Sequence, residues 1–175
     1  MKVRVGSGPD SFGVWFPSDE KQMPWQRFLD ELVEAGYDAT ELGPYGYLPT
    51  NIDTLKHELG SRGITVSGSF VECHFHRAEG WPELERQLRG LGPVLGELGA
   101  KYINLIHECY SDARTGEQTL PKELDDESWK HMVDTFVRAA TIARDEYGLT
   151  PLVHAESNSN LEYEHQIERL MDETD

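Results

Sequence analysis

The chain has 175 residues, of which 38% are hydrophobic and 10% aromatic, which suffices for one domain with a sizeable core and argues against a disordered chain. Its 32 Asp and Glu against 16 Lys and Arg give a formal net charge of −16, which repels phosphate backbones and anionic lipid, so we expect neither nucleic-acid nor membrane partners. Residues 1–10 (MKVRVGSGPD) lack the apolar stretch of a signal peptide and the two cysteines form no spacing motif, so a cytoplasmic protein with reduced thiols is predicted.

Strand and helix patterns alternate five times along the chain. The run KVRVG at 2–6 opens the series, and each of four later β-rich runs follows a glycine just past a helical pattern, at Gly36, Gly63, Gly99 and Gly148. Such a glycine takes the left-handed conformation that ends a helix. The last run, LTPLV at 149–153, predicts a buried strand. Apolar residues at helical spacing predict helices around 25–33, 52–59, 84–98, 129–140 and 167–171, with Ser128 as the N-cap of the fourth.

This alternation predicts a parallel sheet with right-handed crossovers. The loops after helices are tight, whereas those after strands are long, which is typical of a TIM-type (β/α) barrel whose active site lies at the carboxyl ends of the strands. A doubly wound open sheet is the alternative, but VGSGPDSFG at 5–13 lacks the G-x-G-x-x-G spacing. A complete barrel needs eight units and ~250 residues. We therefore expect an α/β fold with about five β-α units, in which 1–175 are the N-terminal portion of a single (β/α)8 barrel.

Carboxylates and imidazoles recur at the predicted carboxyl ends of the strands. In chain order these residues are Asp10, Glu41, His74, His76, His107, Glu108, His154 and Glu156. Histidine with Glu or Asp at one end of a barrel can bind a divalent cation such as Mn²⁺, Co²⁺ or Zn²⁺. A single His beside a Glu is more often a solvated surface pair. A metal site is favoured here because these residues all lie at the same end of the predicted strands.

Several of these residues also have structural interpretations. Alternation along a strand allows only one of His107 and Glu108 to face the barrel interior, and Glu108 is the predicted one. His76 is favoured over His74 for substrate contact, the other being a structural histidine. The rings of Trp15, Tyr45 and Tyr47 either stack on the apolar faces of a sugar or close the rim of the barrel.

Three segments, taken in order, resemble a known family. They are PDSFGVWFP with ELGPYGYLPT, TVSGSFVECHFHR, and VHAESNSNLEYEHQIERLMDETD, and they are similar to inosose (keto-inositol) dehydratases within the xylose-isomerase-like sugar phosphate isomerase/epimerase barrels. The resemblance implies an enzyme that binds a divalent cation through a Glu, an Asp, a His and a second Glu from strands five to eight. Only the first ligand could then lie in this chain. We assign it to Glu156, with His154 and Glu162 as further candidates, although relatives usually carry His at the position of Glu156.

The resemblance further implies that the substrate is a sugar or cyclitol ketone. A metal-bound carbonyl acidifies the neighbouring C–H, and a carboxylate or His removes the proton; either isomerisation, epimerisation or dehydration can follow. We assign proton transfer to Glu156, Glu108 and His76. Substrate contact is predicted for Asp10, Trp15, Glu41, Tyr45, Tyr47, His74 and His107.

Other interpretations of the chain stay open. A non-catalytic fragment or binding subunit is the main alternative, and a metal-dependent DNA-repair endonuclease is disfavoured by the charge of −16. A sheet of five units exposes its edges, so a homo-oligomer is expected. The acidic excess with only six lysines favours adaptation to high salt over an ordinary acidic protein.

Overall fold

Five strands and five α-helices alternate along the described part of the chain, as the sequence predicted. A computed structural model describes residues 4–17, 19–112 and 115–174. Its strands are β1 (Gly6–Ser7), β2 (Ala39–Glu41), β3 (Thr65–Cys73), β4 (Tyr102–His107) and β5 (Thr150–His154). Its α-helices are α1 (Trp25–Glu34), α2 (Ile52–Ser61), α3 (Trp81–Glu97), α4 (Asp126–Tyr147) and α5 (Glu164–Glu173). Short 3-10 helices occupy Pro9–Phe12 and Ala78–Gly80, and residues 2–3 of the predicted opening strand lie outside the described residues.

The strands form one parallel sheet in the order β1-β2-β3-β4-β5. A doubly wound sheet reverses direction part-way through its strand order. The unbroken sequential order therefore excludes that alternative and confirms a TIM-type arrangement of five β-α units. Because all strands run the same way, the residues that follow them meet at one end of the sheet.

The core lies between the sheet and the helices, and it is built from the predicted apolar stripes. Its fully buried members include Phe28, Leu29, Leu84, Leu88, Leu95, Ile103, Leu105 and Met132. The predicted helix ends are confirmed as well, because Gly36, Gly63, Gly99 and Gly148 all have positive φ angles. No helix in the described ranges is long and apolar enough to cross a membrane.

Two local predictions were wrong. The run LTPLV was expected to be a buried strand, yet Leu152 and Val153 are 42% and 45% exposed. β5 is the last strand of the sheet and pairs on one side only, so neither face is fully covered. The N-cap of α4 is Asp125 rather than Ser128: the Asp125 carboxylate accepts a hydrogen bond from the backbone N–H of Ser128 at 2.8 Å. The helix starts a turn earlier than its apolar stripe because its first turn is polar.

Candidate functional site

Four carboxylates lie at or near the carboxyl ends of β2 to β5, and one of them, Glu72, is within electrostatic range of two others. We call Glu41, Glu72, Glu108 and Glu156 the carboxylate cluster. Burial, and next the charges of Glu108 and Glu156, raise the pKa of Glu72 from 4.5 to about 7. The alternation of β3 explains its position: Val71 and Cys73 are buried in the core, so Glu72 between them faces the opposite side of the sheet.

Glu41, the last residue of β2, contacts the middle of β4. The Asn104 side chain amide donates to Glu41 Oε1 at 3.5 Å, across the intervening strand β3. Neighbouring strands lie ~4.8 Å apart, so the two side chains reach towards each other over β3 on the same face of the sheet. Burial, and next the charge of Asp10, raise the pKa of Glu41, whereas the charge of His154 lowers it. Asp10 itself is exposed.

His107 and Glu108 lie on opposite faces of the sheet. His107 is fully buried, and its ring lies 6.3 Å from that of Phe75, which in turn stacks on Phe136 of α4. Glu108 contacts His74 instead, with 2.7 Å between Glu108 Oε2 and His74 Nε2. This hydrogen bond is the main reason that the pKa of Glu108 is lowered. Glu108 thus stays ionised beside Glu72, whose pKa lies near neutral pH.

The end of β5 carries a second imidazole–carboxylate pair. Glu156 Oε2 lies 3.2 Å from His154 Nδ1. Glu162 lies in the following loop, where its Oε2 accepts a hydrogen bond from the Tyr110 hydroxyl at 2.8 Å. Glu156 and His154 together offer an oxygen and a nitrogen donor suited to a divalent cation. Of the three residues predicted to bind metal, these two contact each other, and Glu162 is held by Tyr110.

Three histidines form a separate cluster at the ends of β3 and β4. His74, His76 and His107 each offer a ring nitrogen within 4.8 Å of the others, and we call them the histidine cluster. The Nδ1 of His76 lies 3.3 Å from the Nε2 of His107. Burial lowers the pKa of His76 to about 4 and that of His107 to about 3. Both rings are therefore neutral at physiological pH.

The three predicted aromatic residues lie in different surroundings. Tyr47 is 5% exposed, and its hydroxyl donates to the Met23 carbonyl at 2.9 Å. Tyr45 is partly buried against the core, with the Arg86 guanidinium 5.6 Å from its ring centre. Trp15 is 63% exposed in the loop after β1. The structure thus packs the two tyrosines into the protein and leaves Trp15 on the surface.

Two residues of the site were not singled out from the sequence. Glu72 and Asn104 are polar residues inside otherwise apolar strand runs, SFVEC and YINLI. A polar residue at such a position faces away from the core or needs a partner within it. That signal could have identified both residues, but the prediction considered only residues at the ends of the strands.

Comparison with known proteins agrees with this architecture. The chain is 28% identical over 152 residues to an inosose dehydratase of Geobacillus kaustophilus, covering 84% of this chain and 48% of that protein. It superposes on the probable 3-DHS dehydratase AsbF from Bacillus anthracis with a TM-score of 0.70 at 10% identity, over 98% of this chain and 59% of that one. It also superposes on the IolI protein with a bound zinc atom, with a TM-score of 0.66 at 17% identity, over 97% and 58%.

The chain spans about half the length of the curated relatives it matches, and no family model matches it. The structural likenesses establish the fold, and the sequence relatives agree with the resemblance noted in the three segments. The chain therefore has the fold of five β-α units of a TIM-type barrel, and it is similar in sequence to inosose dehydratases.

Proposed function

We propose that the chain is the N-terminal portion of a metal-dependent enzyme that isomerises, epimerises or dehydrates a sugar or cyclitol ketone. The observation that carries the proposal is the carboxylate cluster at the carboxyl ends of the strands, where active sites of this fold lie. Its relatives are named inosose dehydratases, and a structural neighbour was solved with zinc. Residues 1–175 would then be one part of a single (β/α)8 barrel.

The paired donors at the end of β5 suit a cation. A carboxylate oxygen of Glu156 and a ring nitrogen of His154, 3.2 Å apart, are ligand types that Mn²⁺, Co²⁺ and Zn²⁺ accept. When bound, the cation would stabilise the negative charge that develops as a carbon next to the carbonyl loses its proton. Glu162, in hydrogen-bond contact with Tyr110, would be a nearby third donor.

The remaining carboxylates are suited to proton transfer. Efficient general acids and bases have pKa values near the working pH, and the pKa of Glu72 is about 7. Glu108, whose pKa is lowered by His74, is ionised and can accept a proton at the same pH. Glu41 with Asn104 offers an acceptor and a donor for substrate hydroxyls, and Asp10 adds an exposed carboxylate beside them.

The fate of the proton decides the reaction class. If a β-hydroxyl leaves after proton abstraction, the product is that of a dehydration; if the proton returns to the other face or carbon, the result is epimerisation or isomerisation. His76 would serve the proton transfer from the loop after β3. The partner in this proposal is a small-molecule sugar or cyclitol. We further propose that the protein is cytoplasmic and forms a homo-oligomer.

The test measures metal content and turnover of an inosose and a ketohexose with Mn²⁺, Co²⁺ and Zn²⁺. We expect Glu156→Gln and His154→Ala to weaken metal binding at least about tenfold and to lower turnover with it. Glu168→Gln, at an exposed position of α5, is the matched control. Wild-type metal content and rate in both site variants would show that these residues are ordinary surface groups.

A further inference from the structure

The histidine cluster is held in place by two different strands. His107 is the last residue of β4, and His74 directly follows β3. A turn after β3, in which the Arg77 N–H donates to the His74 carbonyl at 3.2 Å, brings His76 back beside His74, with ring centres 5.7 Å apart. Cys73 of β3 pairs with His107 of β4 in the parallel sheet. The ring of His107 therefore lies beside those of His74 and His76, which follow Cys73.

Two of the three rings are oriented by an acceptor on one nitrogen. His107 Nδ1 lies 3.3 Å from the Cys73 carbonyl oxygen, and His74 Nε2 lies 2.7 Å from Glu108 Oε2. A carbonyl or carboxylate on one ring nitrogen is the usual partner of a histidine that binds metal through the other nitrogen. These contacts leave Nε2 of His107 and Nδ1 of His74 as the nitrogens with a free lone pair.

The spacing of two ring nitrogens, one from His76 and one from His107, fits a cation. Two nitrogens that bind one zinc ion tetrahedrally at about 2.0–2.1 Å lie about 3.3 Å from each other, and His76 Nδ1 and His107 Nε2 are 3.3 Å apart. The Nδ1 of His74 is buried and has no hydrogen-bond partner among the described residues. A buried polar atom without a partner is costly, and a cation would satisfy it.

The competing arrangement is a chain of hydrogen bonds without metal. The Arg77 Nε–H donates to His76 Nε2 at 3.1 Å, which puts the His76 proton on Nδ1 and directs it to His107 Nε2. This series of hydrogen bonds provides partners for the ring nitrogens of His76 and His107, but it leaves His74 Nδ1 without one. Metal binding would move the His76 proton to Nε2 and displace the Arg77 guanidinium, whose residue is exposed.

We propose that His74, His76 and His107 form a second divalent cation site that joins the ends of β3 and β4. Three imidazole ligands select zinc-class cations, Zn²⁺ or Co²⁺, over Mg²⁺ and Ca²⁺, which prefer oxygen ligands. The site is distinct from the His154–Glu156 pair at β5 and does not depend on the proposed enzymatic function; a cation bound here would leave the proton transfer to the carboxylates, because His76 would be its ligand. Its cation fastens the loop after β3 to β4 and orients Glu108 through His74.

The experiment counts Zn²⁺ bound per chain and measures its coordination. In the double variant His154→Ala/Glu156→Gln, which removes the pair at β5, we expect one zinc to remain, with an X-ray absorption spectrum that contains three nitrogen ligands at about 2.0–2.1 Å. Excess Mg²⁺ should not displace it. A double variant that binds no zinc, or binds it through oxygen alone, overturns the proposal in favour of the hydrogen-bond chain.

Single variants test each part of the site. His76→Ala should lose one zinc relative to wild type, and Glu108→Gln should weaken that zinc about 10- to 100-fold by altering the partner of His74. His57→Ala, at an exposed position of α2, should bind zinc as wild type does. Unchanged zinc content and affinity in both His76→Ala and Glu108→Gln would also refute the site.

Discussion

Replacement of Glu72 by glutamine should stabilise the protein at neutral pH and not at acidic pH. The pKa of Glu72 is about 7 in the folded chain against an ordinary 4.5, because burial and two neighbouring carboxylates disfavour its charge. Below pH 4.5 the carboxyl is protonated in both states and costs nothing. Between 4.5 and about 7 only the unfolded chain releases the proton, so folding stability falls as the pH rises, and above about 7 the loss is complete.

The size of the effect follows from the same two values. A tenfold change in proton affinity is worth about 1.4 kcal/mol, so the interval from 4.5 to about 7 sets an upper limit of about 3 kcal/mol. Glu72 is partly exposed and solvent screening reduces the penalty, so we expect a gain of about 1 to 3 kcal/mol at pH 8. Glutamine has the same shape and no charge, so it should remove the penalty without creating a cavity.

The assay is urea unfolding at pH 4 and pH 8 in the presence of a chelator, with Glu168→Gln as the control. The gain should be present at pH 8, vanish at pH 4 and be absent from the control. Turnover of Glu72→Gln should fall, because a stabilising change at a proton-transfer residue is expected to cost activity. An equal stability change at both pH values would refute the reasoning, since a neutral packing effect does not titrate.

Three further results are expected. Asp125→Ala should destabilise the protein by about 1 kcal/mol through loss of the α4 N-cap, whereas Ser128→Ala should change the free energy of unfolding by less than about 0.5 kcal/mol; the reverse order would contradict the assignment of the cap. The midpoint of thermal unfolding should rise from low to molar KCl, because the charge of −16 repels itself less when screened, and equal midpoints would remove the prediction of salt adaptation. The exposed strand edge at β5 should support self-association, so Val153→Lys should shift sedimentation towards the monomer at micromolar concentration; a wild-type chain that is already monomeric there would exclude it.

The strand-end candidates show how far chain order can place a site. Once β-α units alternate in parallel, Glu41, His74, Glu108 and Glu156 must lie at the same end of the sheet, and the structure places them there. Periodicity does not say how deeply each side chain is buried or which atom it meets. Tyr47 illustrates this limit, because a motif that suited a sugar pocket packs its ring against Phe28 in the core.

Local patterns in the sequence determined the elements, their boundaries at the four glycines and their parallel order, because helix periodicity and left-handed caps depend on residues within a few positions of each other. Contacts between distant residues decided the rest. The apolar run at β5 is exposed because pairing on one side leaves it at the sheet edge. The pKa of Glu72 is raised because the folded chain buries its carboxyl and, next, because carboxylates from two other strand ends lie near it. His107 meets His74 and His76 through the register of β3 on β4. Burial and electrostatic coupling arise only when separate segments pack together, so they belong to the tertiary structure.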